Sequence, residues 1–238
     1  MKILCISDIH GRRDLVTRIE QVAHREGIKH VFILGDYSAS GTFNDTSINI
    51  SDVNYVLDLL KDFKVFSIPG NCDAISITDV FEKLNSNFHK KFTSIECVDF
   101  LGLGGSNITP FETPYEFDES EIYDSLQKLY DDYESSKPLK SHKGECKDVE
   151  QRVVLASHTP PYNTACDLVG GGAHVGSRSL RKIIEEKKPD LVICGHIHEQ
   201  SGISGNIGKT RVINVGTFAK GAYSILDTET LDVDARIL

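Results

Sequence analysis

Several features that are missing from this sequence limit what the protein can be. Its 238 residues contain no run of eighteen apolar residues, so we expect no membrane span and no membrane partner. The apolar stretch at the beginning of the chain ends at Ser7 and Asp8, which is too short for a signal peptide, and a cytoplasmic location is expected. The six cysteines form no CxxC pair, which excludes a zinc ribbon and favours reduced thiols.

Positive charge is also scarce. Lys and Arg number 26 against 35 Asp and Glu, which gives a formal net charge of −9. A chain this acidic is a poor general binder of nucleic acid or anionic lipid. An anionic ligand would therefore need a local positive site that the composition alone does not provide.

The hydrophobic pattern predicts an α/β fold. Near-continuous apolar runs over 2–7, 30–34 and 64–68 predict buried parallel strands, and helices between them end at Gly27 or begin with Ser51 as the capping residue. Further strands are predicted over 89–95, 97–103, 152–156 and 190–194, with a helix over 179–187 and a β-rich tail over 211–238. Two sheets packed face to face with helices outside, a four-layer double β-sandwich in one domain, would use all of these elements.

Residues 107–150 differ from the rest of the chain and predict an acidic insertion. Residues 111–134 contain nine acidic side chains and one lysine, Lys128. An apolar stripe of Ile122, Leu126 and Leu129 predicts a surface helix, followed by a mobile loop over 135–150. The insertion is either solvated or a flap over a substrate. An exposed edge strand in the tail also makes a homodimer possible.

Side chains that can bind metals follow five of the predicted strands. Ligands of open α/β sheets bind beyond the carboxyl ends of the strands, so these side chains can converge. The candidate ligands are Asp8, His10, Asp36, Asn71, His158, His196 and His198.

Seven such groups are too many for one first-row metal ion and suit two ions about 3.5–4 Å apart. Residues i and i+2 of an extended segment point the same way, so Asp8 with His10, and His196 with His198, would face neighbouring ions. Two divalent cations, two carboxylates and a bridging hydroxide sum to about +1, which would attract a phosphate ester. Mn²⁺ is favoured, and Fe, Ni, Co or Zn are alternatives, since mixed imidazole and oxygen ligands suit all of them.

These motifs resemble the signature of the calcineurin-like metallophosphoesterases, and the resemblance spans residues 3–218. The motifs that carry it are Asp8-Ile9-His10, Gly35-Asp36, Gly70-Asn71, His158 and Gly195-His196-Ile197-His198. Two further stretches, Gly104-Gly105-Ser106-Asn107 and Ser157-His158-Thr159-Pro160-Pro161, are most similar to small prokaryotic Icc-related phosphoesterases. The family fold is a double β-sandwich flanked by helices, in agreement with the pattern above.

The resemblance also implies a role for each motif residue. It assigns Asp8, His10 and His198 to one metal, and Asn71, His158 and His196 to the other. Asp36 would bridge the two metals, and Asn71 would also contact a phosphate oxygen.

The chain departs from the best-known members where their general acid lies. Those members have a His–Asp pair at the positions that Cys72 and Ala39 occupy here. His174, in a glycine-rich segment, is the candidate replacement because an imidazole titrates near neutral pH, with Cys72 as a second candidate. Asp73 is expected to orient a metal-bound histidine, and Arg12 to contact a phosphate.

Two further expectations concern the helix after His174. Ser177 and Ser179 are candidate caps for that helix, and its N-terminus could face an anion.

The sequence therefore predicts a dinuclear metal-dependent phosphoesterase that hydrolyses a small phosphodiester, such as a cyclic nucleotide, through a metal-bridging hydroxide. Alternatives on the same site are a phosphomonoesterase, a nuclease, which the net charge disfavours, or a metal-binding scaffold without activity.

Overall fold

We describe the protein from a computed structural model. The described residues are 1–39, 42, 45–136 and 151–238. Most of the loop predicted over 135–150 lies outside these residues. No helix in the described ranges combines the length and apolar character needed to cross a bilayer.

Two sheets form the centre of the molecule. The first has the order β15-β14-β1-β2-β3. Its strands are β1 (Lys2–Ile6), β2 (His30–Ile33), β3 (Lys64–Ser67), β14 (Ala222–Asp227) and β15 (Val233–Ile237). The second sheet has the order β12-β13-β11-β8-β5-β4. Its strands are β4 (Lys91–Ile95), β5 (Val98–Leu103), β8 (Arg152–Ser157), β11 (Leu191–Cys194), β12 (Ser204–Ile207) and β13 (Thr210–Asn214).

Five α-helices, three short 3₁₀ helices (Ala165–Asp167, His198–Gln200 and Phe218–Lys220) and two short ribbons complete the fold of the described residues. The helices are α1 (Arg13–Arg25), α2 (Thr46–Leu59), α3 (Ile77–Lys83), α4 (Glu119–Ser136) and α5 (Arg178–Lys187). The ribbons pair β6 (Ser106–Asn107) with β7 (Glu116–Phe117), and β9 (Leu168–Val169) with β10 (Ala173–His174).

Three groups of buried apolar residues define four layers. One group, with Phe32, Phe100 and Ile193, fills the space between the two sheets. A second packs the first sheet against α1, α2 and α3, and a third packs the second sheet against α4 and α5. The predicted double β-sandwich flanked by helices is therefore confirmed.

Parallel pairing brings the carboxyl ends of the central strands together. Within the first sheet β1, β2 and β3 are parallel, and within the second β5, β8, β11 and β13 are parallel. The loop after β5 meets the loop after β3, because the Gly105 N–H donates to the Pro69 carbonyl at 2.7 Å. Loops from both sheets therefore meet at one edge of the sandwich.

The helices differ from the prediction in two respects, the start of one helix and the presence of another. The second helix begins at Thr46, and its cap is Asp45, whose carboxylate accepts hydrogen bonds from Ser47 N and Ile48 N. Ser51 lies inside this helix, so its assignment as the cap was wrong. The seven-residue helix α3 was not predicted, because so short an element has little periodicity to detect.

The acidic segment contributes to the core. In α4 one face buries Ile122, Leu126, Leu129, Tyr130 and Tyr133, and the helix packs beside α5 on the second sheet. The acidic residues occupy the remaining faces, as expected for an amphipathic helix. The helix is thus part of the outer layer.

Two further expectations concern the tail and the thiols. β15 forms an edge of the first sheet, as predicted, but carries the exposed ion pair Asp234–Arg236, and charges on an edge oppose pairing with a second chain. Cys97 is disulfide-bonded, so the expectation of reduced thiols is wrong for this residue. Cys5, Cys72, Cys166 and Cys194 are free.

Candidate metal centre

All seven candidate ligands lie in loops that follow strands, at the edge where the two sheets meet. Four of them have positive φ angles, namely Asp8 (58°), His10 (45°), Asp36 (56°) and His196 (67°). This left-handed conformation costs a non-glycine residue of order 1 kcal/mol or more and is concentrated at functional sites. The sequence predicted that Asp8 with His10, and His196 with His198, lie in extended segments. This prediction was wrong, and turns of the backbone direct these side chains instead.

Glycines next to the ligands allow two of these loops to touch. A Cβ atom on Gly35 would lie 2.1 Å from Gly70 N, and one on Gly70 would lie 2.0 Å from Asp36 Oδ1. Both distances are shorter than any real contact, and Gly35 also has a φ of 96°. The Gly-Asp and Gly-Asn motifs therefore reflect close packing of backbone around the Asp36 carboxylate.

The first group of ligands surrounds Asp8. His198 Nε2 lies 3.2 Å from Asp8 Oδ1 and 3.1 Å from His10 Nε2. His10 Nε2 is 3.9 Å from the same carboxylate oxygen. One ligand atom from each of the three residues lies within 4.8 Å of the others, which is close enough to hold one cation.

The second group surrounds His158. Its Nε2 lies 3.0 Å from Asn71 Oδ1, and its ring centroid is 5.0 Å from that of His196. Ligand atoms of His158, Asp36 and Asp8 also lie within 4.8 Å of one another. The structure thus brings together all seven side chains that the sequence singled out as metal ligands.

Asp36 lies between the two groups. Its Oδ2 is 3.7 Å from His10 Nε2, and its Oδ1 is 3.7 Å from His158 Nε2. Each carboxylate oxygen therefore faces a different histidine.

The hydrogen bonds around His158 show that the site suits a cation. His158 is fully buried, and its Nδ1 lies 2.6 Å from the Leu34 carbonyl, which can only accept. Asn71 donates its Nδ2 to Thr113 Oγ1 at 2.8 Å, so Asn71 Oδ1 is the atom that faces the ring. With these orientations the contact is complete only when a positive charge lies between Nε2 and Oδ1, either the proton of a charged His158 or a metal ion.

Charge distribution within the site agrees with this. Burial raises the pKa of Asp8, but the hydrogen bond from His198 and the charges of nearby imidazoles outweigh it and hold the pKa below its usual range. Burial and the neighbouring His158 lower the pKa of His196 to about 4, which keeps its ring neutral at pH 7. A charged carboxylate and a neutral imidazole are the forms that bind metals.

Comparison with known proteins identifies the family. Residues 1–200 match the model of the calcineurin-like phosphoesterase family. The chain belongs to this family. Metal-dependent hydrolysis of phosphate esters is therefore its class of chemistry, and the ligand groups above are its candidate sites for divalent metal ions.

Individual relatives of this calcineurin-like phosphoesterase cover nearly the whole chain. The uncharacterized protein MJ1162 of Methanocaldococcus jannaschii is 34% identical over 233 residues, which are 96% of this chain and 93% of the relative. Among solved structures, TT1561 of Thermus thermophilus has a TM-score of 0.71 at 18% identity, with 99% of this chain and 98% of that chain covered. A dimetal phosphatase from Danio rerio has a TM-score of 0.64 at 15% identity, and the match covers 94% of this chain and 91% of that chain.

A cavity of about 670 Å³ opens beside the candidate ligands of this phosphoesterase. His10, Asp36, Asn71, His196 and His198 line it, whereas Asp8 and His158 do not. The cavity has the size of sites that bind small molecules.

His174 lines the same cavity. Its Nδ1 lies 2.7 Å from Asp167 Oδ1, and Asp167 is fully buried. The same carboxylate accepts three backbone N–H groups, from Asn163, Thr164 and Gly176. The nearby glycines serve the turn of the β9–β10 hairpin, since nothing lies within 4 Å of a Cβ on Gly171 or Gly172.

Arg12 lies elsewhere. Its guanidinium donates to the carboxylate of Asp14 at 2.8 and 2.9 Å and to the Ala219 carbonyl at 2.8 Å, and it does not line the cavity.

The N-terminus of α5 binds an anionic group of the protein itself. Ser177 caps this helix as predicted. The anion at the helix N-terminus is the Glu119 carboxylate, which accepts hydrogen bonds from Arg178 N, Ser179 N and Ser177 Oγ.

Asp73 supports the site in a different way than the sequence predicted. Its carboxylate accepts the backbone N–H groups of Asp36, Tyr37 and Gly70, and contacts no histidine ring among the described residues. It therefore ties the loop after β2 to the loop after β3.

Thr113 is a supporting residue that sequence reasoning missed. It accepts from Asn71 and donates to Glu116, and so sets the orientation of the Asn71 amide. No motif marks it, because it lies 42 residues from Asn71 in the chain.

Cys72 lines the cavity beside Asn71. Burial and the nearby Asp36 raise the pKa of its thiol far above the ordinary value, which keeps it protonated and a poor proton donor.

Proposed function

We propose that this calcineurin-like phosphoesterase binds two divalent cations and hydrolyses a small phosphodiester, with cyclic nucleotides among the candidate substrates. The observation that carries the proposal is the position of Asp36, whose two carboxylate oxygens each lie 3.7 Å from a different ligand histidine. A carboxylate in this position would hold both ions. Mn²⁺ is the metal we favour, given the mixed imidazole and oxygen ligands.

When bound, a pair of divalent cations supplies a nucleophilic water at neutral pH and neutralises the charge of the phosphate. Asn71 would assist from the protein side. Its Nδ2 donates to Thr113 Oγ1 at 2.8 Å and makes a weak contact of 3.6 Å with Cys72 Sγ, and we assign the hydrogen of this weak contact to a phosphate oxygen when substrate is bound. Asn71 would thus hold a metal through Oδ1 and orient the substrate through Nδ2.

His174 is the proton donor in this proposal. The buried Asp167 accepts from its Nδ1, which leaves Nε2 as the atom able to hold a proton for the leaving group. The same carboxylate compensates the positive charge of the ring when it is protonated. This pair would replace the His–Asp pair that the best-known family members have at the positions of Cys72 and Ala39.

The cavity supports a diester as the substrate. Ile108 and Phe111 lie at the cavity with 67% and 75% of their surfaces exposed. A phosphodiester carries an organic group on each side of phosphorus, and these apolar side chains offer a contact for the group that a monoester lacks.

The test compares bis(p-nitrophenyl) phosphate with p-nitrophenyl phosphate, using protein that has been stripped and reloaded with Mn²⁺. We expect metal-dependent cleavage of the diester at a rate well above that of the monoester, and none in the stripped protein. Preference for the monoester would overturn the diester assignment. Cleavage of neither compound with two ions bound would favour the scaffold alternative.

A further inference from the structure

One basic side chain at the cavity has no acidic partner. Among the described residues that line the cavity, Arg178 is the only lysine or arginine. It is the first residue of α5 and is exposed. No carboxylate of the described residues lies within ion-pair distance of its guanidinium.

The other basic residues of α5 show that this is unusual. Arg181 lies 2.8 Å from Glu185, Lys182 lies 3.9 Å from Glu186, and Lys187 lies 3.8 Å from Glu134. Each of these three cations has a carboxylate within 4 Å. The helix therefore neutralises its charges along its length, except at the end that meets the cavity.

The acidic residues of the cavity leave Arg178 uncompensated. The carboxylate of Glu119 accepts from the backbone of Arg178 and Ser179 and from Ser177 Oγ, so it is directed at the N-terminus of α5. Glu199, the other glutamate at the cavity, is exposed and forms no ion pair within the described part of the chain.

The Arg178 guanidinium is held in place by an aromatic ring. Its Cζ lies 3.8 Å from the centroid of Tyr162, and the ring centroid of His174 lies 5.8 Å from that of Tyr162. Stacking uses the face of a guanidinium and leaves the N–H groups in its plane free to donate. These donors match a carboxylate or a phosphate with two parallel hydrogen bonds.

We propose that Arg178, stacked on Tyr162, forms an anion subsite that binds a second anionic group of the substrate, remote from the phosphate that is hydrolysed. The anionic group is a carboxylate or a phosphate. This inference rests on the proposed function, because it describes the substrate of the same cavity. Stacking orders the side chain before the ligand arrives, which lowers the entropy lost on binding.

The test measures binding, so that it does not depend on turnover. The probes are phenylphosphonate, 4-carboxyphenylphosphonate and 1,4-phenylenediphosphonate, whose C–P bonds are not hydrolysed. Isothermal titration calorimetry is carried out on the full chain loaded with Mn²⁺. We expect one or both doubly substituted probes to bind about tenfold more tightly than phenylphosphonate, in line with a charge-assisted bidentate contact. The stronger of the two identifies carboxylate or phosphate as the natural group.

Variants assign the preference to this subsite. Arg178→Gln is expected to bind all three probes with similar affinity, and Tyr162→Leu to reduce the preference because the guanidinium loses its platform. Lys182→Gln is the matched control. Lys182 lies on the same helix, 4.2 Å from the centroid of Tyr123, but does not line the cavity, and its variant should keep the full preference.

Three results would overturn the subsite: no preference in the wild type, the same preference in Arg178→Gln, or no binding of any probe. Inactivity towards nitrophenyl esters would instead count against the proposed function. The two proposals therefore fail on different measurements.

Discussion

His158 and Asn71 face each other through Nε2 and Oδ1, which lie 3.0 Å apart. The Leu34 carbonyl sets the orientation of the ring, and Thr113 sets that of the amide. The contact therefore needs a positive charge between the two atoms, which a proton on the ring or a metal ion supplies. This contact connects the fold to metal binding, since the two residues that enforce it, Leu34 and Thr113, lie on two different loops.

Loss of Thr113 should weaken metal binding at this position. In Thr113→Val the Asn71 amide is free to rotate, and we expect affinity for the more weakly held ion to fall about 10- to 100-fold, as for other supporting contacts of metal ligands. Competition with a chromophoric chelator measures the affinity of each variant for the metal ions. Thr109→Val is the control, because Thr109 also donates to Glu116 but does not contact Asn71. Equal losses in both variants would contradict the role of Thr113.

Replacing Asp36 should remove both ions together, because its two oxygens face the two ligand groups. We expect Asp36→Ala to contain far less than one ion per chain by mass spectrometry of metals, and Asp36→Asn to behave similarly. Asp58→Ala, which removes an exposed carboxylate of α2, should keep the wild-type content. Retention of two ions in Asp36→Ala would show that the bridging assignment is wrong.

His174→Gln should slow hydrolysis most for substrates with poor leaving groups. A general acid contributes about 10²–10⁴-fold, and less where the leaving group needs no proton. We expect a large loss for phenyl or alkyl diesters and a small one for p-nitrophenyl diesters. The measurement is the dependence of kcat/KM on the pKa of the leaving group. The same loss for every leaving group would indicate that His174 has a structural role.

His89 should make the fold sensitive to acid. Burial, and then the neighbouring Lys90, lower the pKa of His89 from 6.5 to about 3, and its Nδ1 accepts from Gly104 N. Between these values the unfolded chain binds more protons, so stability is lost as the pH falls below about 6.5. From pH 7 to pH 4 the loss from this residue is about 3 kcal/mol.

The measurement for His89 is the free energy of unfolding of chelator-treated protein at both pH values. In His89→Gln the free energy of unfolding should fall between pH 7 and pH 4 by about 3 kcal/mol less than in the wild type. In His24→Gln, which removes an exposed imidazole, it should fall as in the wild type. An unchanged drop in His89→Gln would contradict the assignment.

The sequence by itself determined the layers of the fold and the identity of the candidate ligands. Apolar runs and helical stripes are local patterns, and polar residues at the ends of parallel strands must meet because the strands share an edge. For that reason Asp8, Asp36 and His158 could be named together, although 150 residues separate the first from the last.

Only the tertiary structure decided how these side chains converge and what surrounds them. The left-handed turns at Asp8, His10, Asp36 and His196 depend on contacts between loops of different strands, which no local pattern encodes. The same holds for the support of Asn71 by Thr113, the hydrogen bond of Arg12 to the Ala219 carbonyl outside the cavity, and the stacking of Arg178 on Tyr162. Each of these depends on the direction of a side chain in space, which is set by packing after the chain has folded.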